Sequence, residues 1–129
     1  MLKDIHYARL ADAGRETIAQ QFVACGRLSA RDGAVVVGQF ADRGTGLLAE
    51  QQGLRAAVDL LNTGQADRLI VLRWDCLGRA KGQVGRIIQD LLARGVRLVS
   101  CSEGEMNSDV AGLVTRVGRW EESKAAGGD

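Results

Sequence analysis

Three pairs of polar residues stand at the ends of apolar runs in this sequence: Tyr7 and Arg9, Asp42 and Thr45, and Asp75 and Arg79. Guanidinium forks match the oxygens of a phosphate, so Arg9 and Arg79 converging on one edge can hold a phosphodiester. Each residue also has a purely structural use. Arg9 can pair with Asp42 or Asp75 across neighbouring strand ends. Arg79 lies four residues after Asp75, the spacing of a helical ion pair. Thr45 can bond its own backbone in a loop. Cys76, beside two arginines and near a helix start, sits where a thiol pKa can fall, and it serves equally as a small filler. His6, inside an apolar run, reads as a satisfied structural histidine.

Other chemistries find little to work with. The only histidine is His6, and Cys25, Cys76 and Cys101 are odd in number with no CxxC spacing. Neither a disulfide framework nor a metal site is expected. Gly44-x-Gly46 lacks the third glycine of a dinucleotide motif, and neither a Walker loop nor a Gly-x-Ser-x-Gly elbow occurs. No cofactor is expected. The 17 basic and 16 acidic residues nearly cancel, which is not the overall signature of a nucleic-acid binder. The charge is uneven, however. Arg68, Arg73, Arg79, Lys81, Arg86, Arg94 and Arg97 are opposed in their window by Asp75 and Asp90 alone. That surplus fits either solvated helix faces or a basic face toward phosphate.

The apolar pattern gives the elements that must position these residues. Residues 2–10, 34–40, 68–74 and 96–101 read as strands. Residues 16–30, 54–61 and 82–93 read as helices, and Val110, Leu113, Val114 and Val117 fit a further helical stripe. Residues 42–50 and 102–108 read as loops. Strands alternating with helices predict an α/β fold, a largely parallel sheet of four or five strands with helices on both faces. Sites in such sheets form outside the carboxyl ends of the strands, which places residues 9–14, 41–50, 75–79 and 102–107 along one edge. With 129 residues and 46% apolar content, residues 1–124 are expected to form one domain with a tail at 125–129 and no separate DNA-binding domain. There is no run long enough to span a membrane and no apolar leader after Met1, so a cytoplasmic location is expected.

At this point the sequence resembles the catalytic domain of the resolvase/invertase family of serine recombinases over roughly residues 3–118. The family's Tyr-x-Arg-x-Ser is matched by Tyr7-Ala8-Arg9-Leu10-Ala11, and Gln20 fits a glutamine that follows at a set distance. Its Asp-x-x-Ser-Gly is matched by Asp42-Arg43-Gly44-Thr45-Gly46. Its Arg-x-Gly-Leu appears as Gln51-Gln52-Gly53-Leu54, and its Asp-Arg-Leu-x-Arg as Asp75-Cys76-Leu77-Gly78-Arg79.

The departures bear on activity. The family's serine attacks the DNA phosphodiester and forms a covalent phosphoserine link. Ala11 has no oxygen for that step. Gln51 and Cys76 replace two arginines that stabilise developing negative charge, and a Glu-Arg pair on the family's long last helix has no equivalent before Lys124. Arg9, Asp75 and Arg79 are retained, and Arg9, Arg79, Thr45, Arg73 and Lys81 are the candidates for phosphate or DNA contact. The resemblance implies that the helix carrying Val110, Leu113, Val114 and Val117, with Trp120 beyond it, forms a dimer interface. The expected function is a recombinase-like domain without strand transfer, assembling with itself, with an active recombinase or with a DNA-bound partner. Two alternatives stand beside it: an active recombinase domain carrying a Ser→Ala change at position 11, and a protein-interaction module without DNA contact.

Overall fold

Arg68–Val71 is buried at every position, which is what a strand covered on both faces requires. Its side chains divide by the two-residue period of a strand. Ile70 packs with Cys25, Leu28 and Val99 on one face, while Leu69 and Val71 join Leu54, Ala57, Leu61, Ile88 and Leu91 on the other. The computed structural model from which these contacts come describes residues 1–10, 16–44, 51–78 and 83–106.

The element order is β1 (Lys3–Leu10), α1 (Ile18–Arg31), β2 (Val35–Arg43), α2 (Gln52–Asn62), β3 (Arg68–Val71), a 3₁₀ turn (Trp74–Leu77), α3 (Gln83–Ala93), β4 (Arg97–Ser100) and β5 (Gly104–Glu105). The sheet runs β2-β1-β3-β4-β5. β1 pairs in parallel with β2 and β3, β3 pairs in parallel with β4, and β5 returns antiparallel to β4. α1 covers one face and α2 with α3 cover the other. This is the α/β architecture expected from the alternating pattern, with five strands. Among the described residues, no helix is long and apolar enough to cross a membrane.

Local chemistry sets the boundaries. Thr17 and Gln20 form a reciprocal capping box that starts α1. The first strand meets the second in register through Arg9↔Asp42 and Leu10↔Arg43, so β2 runs three residues past the expected end at residue 40. β3 is shorter than the expected 68–74. Its ladder ends at Val71, and the Trp74 amide donates to Glu103 Oε1 at 2.7 Å, which turns the chain into the 3₁₀ segment. Trp74 is nevertheless buried, which is why an apolar run continues through it. β5 lies inside the expected loop 102–108.

A buried ion cluster closes the opposite, amino-terminal end of the central strands. Arg68 donates to both Asp4 carboxylate oxygens at 2.7 Å and to Asp32 at 2.8 Å. Asp4 also accepts from Ser29 Oγ at 2.6 Å, and Ser29 bonds His6 Nε2 at 2.8 Å. Arg68 therefore belongs to neither reading of the basic window, solvated face or phosphate-facing surface.

Candidate functional site

The carboxyl ends of β1, β2 and β3 bring Tyr7, Arg9, Asp42, Asp75 and Cys76 to one edge, with Gln51 at the start of α2. Each residue is held by a specific set of bonds. The Tyr7 phenol donates to Asp42 Oδ2 at 2.8 Å and accepts from Gln51 Nε2 at 2.9 Å. Asp42 also receives the amides of Gly53 and Leu54 at 2.8 and 2.9 Å, so its carboxylate caps the first turn of α2. That approach leaves no room at Gly53: a Cβ there would lie 2.6 Å from the Ala41 carbonyl oxygen.

Arg9 is buried, and all three of its nitrogens face backbone. Nε donates to the Cys76 carbonyl at 3.3 Å, Nη1 to Gly44 at 3.0 Å and Nη2 to Asp75 at 2.5 Å. The carboxylates of Asp42 and Asp75 are not its partners, although Asp42 is its register neighbour. Arg9 thus ties together the ends of three strands. A guanidinium carries five N–H donors, so two remain beyond these three bonds.

Gln51 and Cys76, at the positions of the family's two arginines, are packed as neutral groups. Gln51 is 1% exposed, and its amide nitrogen bridges Tyr7 and the Leu77 carbonyl. Its Oε1 has no hydrogen-bond partner among the described residues. Cys76 is buried and its thiol lies 3.5 Å from Gln21 Oε1. Burial pushes the Cys76 pKa up, outweighing the hydrogen bond from the Arg73 backbone and the positive charges of Arg73 and Arg9. The position beside two arginines therefore does not produce a reactive thiolate. Burial also raises the Tyr7 pKa, so the phenol keeps its proton for Asp42.

The glutamine that matters locally is Gln21, which spacing alone did not single out. Gln20 is exposed in the capping box, whereas Gln21 is buried. Gln21 accepts from the Arg9 amide at 3.2 Å and donates to the Arg9 carbonyl at 3.0 Å. It pins the end of β1 to α1. A buried glutamine one residue after an exposed one at a helix start is the only signal the sequence offered.

Arg73 forms an ion pair with Glu16, with contacts of 2.5 and 3.2 Å, and its Nε lies 3.8 Å from Asp75 Oδ1. Its charge is already matched locally. The expected site residues Ala11, Thr45, Arg79 and Lys81 lie outside the described residues, as do the interface candidates Val110, Leu113, Val114, Val117 and Trp120. An open depression of about 470 Å³ lies at this edge, lined by Ile18, Ala41, Asp42, Arg43 and Gln52. No group of three or more metal-ligating side chains occurs among the described residues.

Comparison with known proteins gives this edge its family. The model of the resolvase N-terminal domain matches residues 5–118, and the chain belongs to that family. Solved structures with the same fold include the N-terminal catalytic domain of TP901-1 integrase, 16% identical over 96% of this chain and 97% of that one, with a TM-score of 0.73. A resolvase family site-specific recombinase from Streptococcus pneumoniae is 14% identical over 98% of this chain and 91% of that one, with a TM-score of 0.69. The C-terminal catalytic domain of ISC1926 TnpA, an IS607-like serine recombinase, is 21% identical over 78% and 70%, with a TM-score of 0.68. No curated protein matches the chain.

Proposed function

We propose that this chain is a serine-recombinase-like domain that does not cut DNA and acts by assembly, with itself, with an active recombinase or with a DNA-bound partner. The observation that carries the reading is the packing of Gln51 and Cys76. Where the family motif has cations that face a phosphate, both side chains are buried, neutral and bonded inward. Ala11 adds the loss of the attacking oxygen. An oxyanion-stabilising site works through preorganised positive charge, so neutral replacements at two positions remove much of its effect. The direct test looks for a covalent protein–DNA adduct from the unaltered chain. The reading predicts none, and an adduct would overturn it.

A second reading, an active recombinase domain whose position 11 was changed from serine, is favoured by the retained Arg9, Asp75 and Arg79. It predicts that Ala11→Ser alone brings cleavage back. A third reading, an interaction module without DNA contact, is favoured by the near-balance of charge. It predicts no binding to duplex DNA even at low salt.

A further inference from the structure

Two thiols meet on the sheet face covered by α1, away from the strand-end site. Cys25 on α1 is fully buried, and Cys101 stands just past β4, partly exposed. Cys101 packs against the cluster of Cys25, Leu28, Ile70 and Val99. The two side chains hydrogen-bond to each other, and Cys25 Sγ also lies 3.8 Å from the Ile70 carbonyl. One sulfur is thus open to a small reagent, and the other waits behind it.

We propose that Cys25 and Cys101 are a redox modification site that closes to an intramolecular disulfide when a hydroperoxide reaches Cys101. Exposure selects Cys101 as the first thiol to react. The hydrogen bond from Cys25 lowers the Cys101 pKa, helped by its backbone amide and the charge of Arg31, whereas Cys25 is held protonated. The Cys101 thiolate attacks one peroxide oxygen, the O–O bond breaks, and the sulfur becomes a sulfenic acid. With hydrogen peroxide the departing hydroxide leaves as water after taking up a proton. Cys25 then attacks the Cys101 sulfur, the S–O bond breaks, and the second oxygen leaves as water with the Cys25 proton. Both thiols are oxidised and the peroxide is reduced. The new bond fixes α1 to the end of β4. Cys25 lies one helical turn after Gln21, the residue that holds the Arg9 backbone, so the strand-end site is tethered to the cross-link through α1.

The test treats the reduced full chain with hydrogen peroxide, blocks free thiols with iodoacetamide and maps tryptic peptides by mass spectrometry. The expected product is peptide 16–27 joined to peptide 98–116, with Cys76 alkylated in peptide 74–79. The species should run as a monomer on a non-reducing gel and revert with dithiothreitol. Cys101→Ser should abolish the link, and Cys76→Ser should leave it intact. Cys101 found as sulfinic acid with Cys25 still free would overturn the proposal. So would a Cys25–Cys76 link or a bridge between two chains.

Discussion

The Tyr7 hydroxyl donates a 2.8 Å hydrogen bond to Asp42 Oδ2, joining the end of β1 to the carboxylate that caps α2. Tyr7→Phe removes that donor and the acceptor used by Gln51 Nε2. Two buried groups lose partners, so the variant should be less stable by about 1–3 kcal/mol in urea denaturation. Amide exchange at Gly53 and Leu54 should quicken with it. Unchanged stability and exchange would show that the phenol contributes only its ring.

The Asp4–Arg68–Asp32 cluster predicts a sharp contrast between two arginines. Arg68→Met leaves Asp4 buried and uncompensated and should cost about 3–5 kcal/mol. Arg97 pairs with Glu105 at 2.7 Å, but both side chains are nearly half exposed. Arg97→Met should therefore cost about 1 kcal/mol or less in the same denaturation assay.

His6 gives a pH dependence with a definite sign. Burial outweighs the attraction of Asp4 and lowers its pKa below the ordinary 6.5, with Arg68 adding to the depression. The unfolded chain then binds its proton at a higher pH than the folded one. Stability is full above pH 6.5 and falls as the pH drops below that value toward the depressed folded pKa. Asp32 acts in a separate, lower window, because Arg31 and Arg68 hold its carboxyl at about 2. Its contribution fades only as the pH falls below the ordinary carboxylate range. His6→Gln should flatten the upper step and leave the lower one, as read from melting temperatures across a pH series.

Much of the frame was legible in the sequence because the central strands are continuous apolar runs and α3 has a clear helical stripe. The misses have physical reasons. Trp74 and Leu77 are apolar and buried, so nothing in the run marks the point where Glu103 ends the ladder. Gly104–Glu105 has no strand propensity and forms a strand only because β4 is there to pair with it. Arg68 looked like one cation among seven, since its partner Asp4 is 64 residues away. The edge location of the site was legible from the topology. The partners of Arg9 were not, because all three are backbone carbonyls.

Assembly on DNA predicts salt-sensitive binding. Affinity for labelled duplex DNA should fall as salt rises, with a log–log slope of about −0.9 for each phosphate contacted. Arg86, exposed on α3, is unmatched by any ion pair shown for it among the described residues. Arg86→Glu should reduce that slope, whereas Arg97→Glu, at a site already paired with Glu105, should alter it less. A flat, weak response at all salt concentrations would favour the interaction module without DNA.

The most direct measurement fuses the chain to a zinc-finger DNA-binding domain and compares the unaltered sequence with Ala11→Ser on duplex DNA bearing the finger site. Covalent protein–DNA adducts are read on a denaturing gel. Neutral Gln51 and Cys76 predict that the restored hydroxyl forms no adduct above the unaltered chain. Adducts from Ala11→Ser alone would contradict the account and mark the chain as a working recombinase domain held back by one atom.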